Sequence, residues 1–238
     1  METFLQKAFA PFKRYLPDCL WNPLRSTATG FLTPLLFSYR TGHFRSSLAR
    51  RAVSRQGEPL PWYTFPCIDF LKYRSYYNRD VLEFGGGQST LWWAARARRV
   101  VTLEGDYAWF RALKHTMPDN VDLHYVSMAD STTNVRAVEA TLRQQSLVQY
   151  AVIIIDGLYR FEMIEFARNY IAEDGIIICD NAEGYGFYEG FQAAGFCRVD
   201  FFGHVPGVVL PQATSIFFKP GAFVFNARYP IPAIAREL

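Results

Sequence analysis

Along this chain, short apolar runs repeatedly end in a carboxylate. Val81-Leu82-Glu83, Val100-Val101-Thr102-Leu103-Glu104, Ala151-Val152-Ile153-Ile154-Ile155-Asp156 and Ile176-Ile177-Ile178-Cys179-Asp180 each read as a strand closed by an acid. Val121 to Val126 alternates like a further strand, with Asp130 shortly beyond it. Between these runs, Phe110, Leu113 and Met117, then Val135, Val138 and Leu142, then Phe161, Ile164, Ala167 and Ile171 recur at helical spacing. An unbroken β-branched run such as Val152 to Ile155 is what a strand covered on both faces requires. Repeated strand-helix alternation predicts an α/β fold, a doubly wound and mostly parallel sheet covered by helices on both sides. The last two strand-like runs, Phe196 to Phe202 and Thr214 to Lys219, have no helix between them for a crossover. They are predicted to be antiparallel neighbours at the sheet edge.

In an open parallel sheet, ligands lie beyond the carboxyl ends of the strands. Glu83, Glu104, Asp130, Asp156, Asp180 and Asn181 all fall there. One such acid is weak evidence of a site, because a carboxylate at a helix start is often a cap. Several in register point to a shared pocket. After Glu83 the chain runs Phe84-Gly85-Gly86-Gly87-Gln88-Ser89-Thr90, a glycine turn entering a helix near Ser89. Such a turn admits positive φ and close approach of a ligand, and the helix start suits a phosphate or a carboxylate. Glu104 lies about twenty residues beyond the turn, where an acid can accept both hydroxyls of a ribose; its competing reading is a helix cap. Trp92 and Trp93 read as sheet-packing residues, and His204 as a loop bystander.

The 238 residues are half hydrophobic and carry a net charge of +3, enough for one large domain and an extra segment. The charge is lopsided, with nine Lys or Arg against two acids up to Arg55. Residues 1-60 are expected to form a basic helical N-terminal cap, broken by Pro11, Pro17, Pro23 and Pro34 into two or three short helices. In that reading the apolar side of the cap packs on the main domain, residues 61-238, whose tail after Pro220 is an irregular strap containing Pro230 and Pro232. A peripheral membrane or partner contact through residues 1-56 is the alternative use of the basic head; there is no strong nucleic-acid signal. Cys19, Cys67, Cys179 and Cys197 lack metal or disulfide spacing, and neither a spanning run nor a signal-peptide pattern is present, so a cytoplasmic location is expected. No nucleophile-elbow serine and no phosphate-binding loop ending in Lys-Ser or Lys-Thr occurs.

Glu83-Phe84-Gly85-Gly86-Gly87-Gln88-Ser89 resembles the first motif of class I S-adenosylmethionine-dependent methyltransferases, with Ser89 where a third glycine is usual. Together with Pro61-Trp62, Gly87 to Trp93, Ile155-Asp156-Gly157 with Arg160, Asp180-Asn181 and Thr214 to Phe217, the chain is similar to a bacterial methyltransferase-like group of poorly defined substrate. The resemblance covers residues 61 to about 220. It implies a Rossmann-like fold and O-methylation of a small-molecule, glycan or lipid-linked hydroxyl, with S-adenosyl-L-methionine as cofactor. It also implies that Gly85 and Gly87 approach the methionine part, that Gly86 and Ser89 belong to the same cofactor-binding turn, that Glu83 holds the amino group, that Glu104 holds the ribose and that Asp130 faces the adenine. Asp156, Asp180 and Asn181 resemble the magnesium ligands of catechol-type enzymes, but Tyr159 stands where those enzymes have a lysine, with Arg160 next. Without a metal, Asp156 is the expected base or orienting group, with Tyr159 and Arg160 lining its pocket. A nicotinamide-dependent oxidoreductase shares the glycine turn and distal acid, and a non-catalytic methyltransferase-like binding module docked through the head is a third reading.

Overall fold

The computed structural model describes residues 15–145 and 149–229; residues 1–14 and 230–238, with Pro11, Pro230 and Pro232, lie outside the described residues. Seven strands form one sheet: β1 (Asp80–Phe84), β2 (Arg99–Glu104), β3 (Val121–Tyr125), β4 (Tyr150–Ile155), β5 (Ile171–Asp180), β6 (Cys197–Gly203) and β7 (Gln212–Phe218). Their order is β3-β2-β1-β4-β5-β7-β6. The first five are parallel, and β7 runs antiparallel between β5 and the edge strand β6. This is a Rossmann-like sheet with an antiparallel C-terminal pair, as the alternation predicted. Strand order reverses between β1 and β4, where Leu82 pairs with Ile153 and Phe84 with Ile155.

The pleat of β1 sends alternate residues to opposite layers. Val81 joins one core with Tyr63, Leu71, Trp93, Ile154 and Ile176. Leu82 and Phe84 join the other with Val101, Leu142, Ile153, Ile155 and Phe191. Trp92 and Trp93 are buried and pack edge to face, as expected of sheet-covering residues. Each fully buried isoleucine of β4 and β5 contributes about 1.5–3 kcal/mol, which is why these runs define the centre of the sheet.

Helices α1 (Asp18–Thr41) and α2 (His43–Ala49) form the described part of the N-terminal segment, followed by α3 (Phe65–Leu71), α4 (Gln88–Ala94), α5 (Tyr107–Lys114), α6 (Ser131–Gln144), α7 (Met163–Tyr170) and α8 (Phe187–Gln192). Two sequence expectations fail in the head. Pro23 and Pro34 lie inside one 24-residue helix instead of dividing it. Each proline deprives the carbonyl four residues earlier of its partner, but those residues, Cys19 and Gly30, are exposed, so water satisfies them. Nor does the apolar side of α1 pack broadly on the body: Leu20, Leu24, Phe31 and Leu35 are exposed. The helix reaches the core through Phe37, whose ring meets Phe65 edge-on at 5.4 Å. α3 begins at Phe65, with Pro66 in its first turn, where no N–H is needed.

The segment from α2 to Leu60 is firmly built. The buried Ser46 hydroxyl donates to the Val53 carbonyl at 2.8 Å and accepts from the Val53 N–H at 3.0 Å. Trp62 Nε1 donates to the Pro206 carbonyl at 2.9 Å, and the Phe65 N–H donates to the His204 carbonyl at 2.9 Å. The β6–β7 loop thus holds the connector at Trp62 and Phe65, and it meets the head at His43, whose Nδ1 lies 3.1 Å from the Val205 carbonyl oxygen, and at Phe37, whose ring stands 5.9 Å from that of the exposed His204.

Candidate active site

A cavity of about 860 Å³ opens at the carboxyl ends of β1, β2 and β4, at the reversal of strand order. Its walls include Gly85, Gly86, Gly87, Ser89, Glu104, Asp156 and Arg160, and exposed Arg50 and Arg51 from the end of α2 stand at its rim. Gly85 has φ of 95°, and a Cβ there would lie 2.6 Å from the Asp156 carbonyl oxygen, so β1 and β4 approach this closely because residue 85 is glycine. Gly87 differs. Its φ of 172° is extended backbone, and a Cβ would meet nothing within 4 Å. The fold leaves room beside Gly87 that a side chain would fill.

The three glycine amides are all engaged within the protein. Gly85 N–H donates to the Leu103 carbonyl at 2.9 Å, Gly86 N–H to Glu104 Oε2 at 2.8 Å, and Gly87 N–H to the Thr90 hydroxyl at 3.0 Å. Glu104 Oε1 accepts from the Asp106 N–H at 2.7 Å, so the carboxylate bridges the glycine turn and the start of α5, and each oxygen keeps a lone pair. Trp109 Nε1 closes the turn by donating to the Gly86 carbonyl at 2.8 Å.

Glu83 does not line the cavity. It shares the β1 face of Val81, is fully buried, and accepts from the hydroxyls of Thr90 and Thr102 through Oε2. Its Oε1 has no hydrogen-bond partner among the described residues. Burial pushes its carboxyl up to about 7, while the hydroxyls of Ser89, Thr90 and Thr102 pull it back. Direct contact with a ligand amino group, expected from the sequence, is therefore not what the geometry places there: Glu83 supports the turn through Thr90. Asp130 is also off the cavity. It caps α6, accepting from the Thr133 N–H at 2.8 Å and the Thr133 hydroxyl at 2.7 Å, which hold its carboxyl below the usual range. One turn further along α6, Asn134 reaches the cavity wall, held by its Nδ2 donating to the Ser127 carbonyl at 3.0 Å. The sequence signal for Asn134 was its i+4 offset from a good cap; Trp109 and Met128, also cavity residues, carried none.

At the end of β4, Asp156 Oδ1 accepts from Arg160 Nη2 at 2.8 Å, and no donor among the described residues reaches its Oδ2. Arg160 also donates to the carbonyls of Gly157 at 2.9 Å and Asp180 at 2.6 Å, and to Asn181 Oδ1 at 3.3 Å. Tyr159, with φ of 52°, is not part of the cavity wall. The expected magnesium set does not suit the metal. Asp180 accepts from the Thr214 hydroxyl at 2.9 Å, Asn181 Nδ2 donates to Gln212 Oε1 at 2.9 Å, and a guanidinium already joins Asp156 to Asn181. A cation held among these groups would face that guanidinium's like charge. Burial raises the carboxyls of Asp156 and Asp180; Arg160 lowers both, and the charge of Asp156 raises Asp180 further. Arg160→Lys keeps a positive charge but not the fork. It is expected to cost about 1–2 kcal/mol, seen as a Tm lower by roughly 2–8 °C in a thermal melt at neutral pH.

No protein-family model matches the sequence, and no curated protein matches it. Among solved structures, the chain is similar to an O-methyltransferase from Bacillus cereus in complex with SAH, at 15% identity and a TM-score of 0.47, over 76% of this chain and 91% of that one. It is also similar to a precorrin-6y C5,15-methyltransferase from Geobacter metallireducens, at 14% identity and a TM-score of 0.47, over 64% and 86% of the two chains. A spermidine synthase from Thermotoga maritima has 14% identity and a TM-score of 0.43, over 62% and 55%.

Proposed function

We propose that this chain is an S-adenosyl-L-methionine-dependent methyltransferase of the class I type, acting on the hydroxyl of a small-molecule, glycan or lipid-linked acceptor. One observation carries the reading against a nicotinamide-dependent oxidoreductase. A dinucleotide pyrophosphate needs free amides at the glycine turn, yet the three glycine N–H groups are used internally and one of them holds Glu104, an anion on the cavity wall. That arrangement supports a ligand with a ribose and no phosphate.

The residues present fit such a cofactor: Gly87 lines the cavity and has open space beside it, Glu104 keeps lone pairs for two ribose hydroxyls, and Leu113, Val126, Met128 and Val138 supply an apolar end for a base. Asn134 is the polar group at that end, in the role expected of Asp130. When bound, S-adenosylmethionine supplies an electrophilic methyl group on a sulfonium. The protein's contribution is chiefly positioning, because methyl transfer is an in-line displacement. Asp156 Oδ2 accepts the proton of the acceptor hydroxyl, while Arg160 fixes the carboxylate through Oδ1.

Calorimetric titration of the full chain tests the assignment. S-adenosylhomocysteine is expected to bind and NAD not to; NAD binding without S-adenosylhomocysteine binding overturns it. Glu104→Ala should abolish S-adenosylhomocysteine binding. Asp156→Asn should retain it and lose transfer of labelled methyl groups into a metabolite extract.

A further inference from the structure

Helix α1 carries an apolar stripe that the rest of the described chain does not cover. Leu20, Leu24, Phe31 and Leu35 fall within an arc of about 60° at 3.6 residues per turn, and all four are exposed, Phe31 at 72% and Leu35 at 66%. Between Arg25 and Arg40 there is no charged residue, an uncharged run too short to span a bilayer, and no helix among the described residues is long and apolar enough to cross a membrane. At a rise of 1.5 Å per residue the 24-residue helix is about 36 Å long.

The net charge of the segment that carries the stripe points to what covers it. Residues 15 to 57 hold six arginines, Arg25, Arg40, Arg45, Arg50, Arg51 and Arg55, against one acid, Asp18, a net of +5. Arg25 and Arg40 bracket the uncharged run in the sequence; at 3.6 residues per turn Arg25 stands on the flank of the stripe and Arg40 on the opposite side of the helix, and a flanking basic side chain can keep its charge in water while its stem lies along an apolar surface. Near the same end of α1, the Arg55 guanidinium lies 4.1 Å over the Tyr39 ring. A second copy of the chain would bring an identical net positive surface against this one. An anionic bilayer offers both an apolar layer for the stripe and a negative headgroup layer for the arginines.

We infer that α1 is an in-plane membrane-binding helix, docking the protein on an anionic lipid surface through Leu20, Leu24, Phe31 and Leu35. None of these four residues lines the cavity, although Arg50 and Arg51 stand at its rim, so the inference stands or falls independently of the methyltransferase reading.

The test is co-sedimentation of the full chain with vesicles of phosphatidylcholine alone and of an equal mixture of phosphatidylcholine and phosphatidylglycerol. Binding is expected to the mixed vesicles, with little to the neutral ones, and to weaken as salt is added. Leu24→Ser/Phe31→Ser/Leu35→Ser should reduce partitioning about a hundredfold or more while the thermal melt stays near the parent's. Should that variant melt lower, Arg25→Gln/Arg40→Gln supplies the second reading, with binding expected to fall about tenfold and the fold unchanged. Equal binding to both vesicle types overturns the inference, as does no binding to either. A dimer in light scattering that the triple substitution abolishes, without vesicle binding, assigns the stripe to a second copy and also overturns it.

Discussion

Gly87→Ala is expected to fold with the parent's stability and to weaken S-adenosylhomocysteine binding about a hundredfold. The backbone at Gly87 is extended, and the added methyl meets no protein atom within 4 Å, so the folded chain has little to lose. Gly87 lines the cavity, so the methyl occupies open space at a residue the proposed cofactor is expected to touch. Overfilling a fitted contact costs about 1–3 kcal/mol, and about 2.7 kcal/mol is a hundredfold in Kd. Gly85→Ala is the control with the opposite outcome. There the Cβ lies 2.6 Å from the Asp156 carbonyl oxygen, and the residue must hold φ of 95°. A loss of about 3–4 kcal/mol of stability follows, which lowers Tm by roughly 6–16 °C. Thermal melts and calorimetric titrations of the two variants separate a glycine kept for the fold from one kept for a ligand. Unaltered affinity in Gly87→Ala would remove the cofactor from this turn.

The same contrast explains how far the residues could be read without coordinates. The buried run Val152 to Ile155 signals a central strand because β-branched side chains with no polar alternation fit nowhere else. With the helical stripes between the strands, it fixes the parallel sheet and places its acids at one end. Glu104 and Asp156 follow from that end, and both line the cavity. What the pattern lacks is depth. Glu83 pairs with Thr102 and Ile154, so it shares the sheet face of Glu104 and Asp156 but lies one alternation deeper, under the glycine loop and off the cavity. Asp130 is consumed by capping, which hands its place on the wall to Asn134. Arg160 reaches Asp156 and Gly157 by local spacing, but its bonds to Asp180 and Asn181 depend on the β4–β5 pairing, which no local spacing signals. In the head, proline misled because an exposed helix loses less from its missing hydrogen bonds than a buried one.

Glu83→Gln is expected to make the protein more stable at alkaline pH and no more stable at acid pH. Burial raises the Glu83 carboxyl from an ordinary 4.5 to about 7, so the folded state holds its proton more tightly than the unfolded chain does. The sign follows: the contribution is fully present below pH 4.5 and is lost as pH rises through 7. At about 1.4 kcal/mol for each tenfold change in proton affinity, the ionised carboxylate costs about 3 kcal/mol at pH 8. Glutamine stays neutral and keeps an acceptor for Thr90. Its amide faces the position where Oε1 has no partner, which returns about 1 kcal/mol of the gain. Urea unfolding should therefore show the variant ahead by about 2 kcal/mol at pH 8 and level or slightly behind at pH 5. Both proteins retain a residual downward slope between these pH values, because the Asp156 and Asp180 carboxyls are raised in the same sense. The ionised glutamate is thus unfavourable to the empty fold, although its carboxyl supports the turn through Thr90. A cofactor carrying an ammonium group over the turn draws the Glu83 proton off, so S-adenosylhomocysteine should stabilise the parent more strongly as pH rises through 7, while the glutamine variant shows no such rise. Equal stability of the two proteins at pH 8 would mean that the buried charge is already compensated, and the assigned cost would be wrong. Equal pH dependence of binding would detach Glu83 from the cofactor and leave it as a support for Thr90 alone.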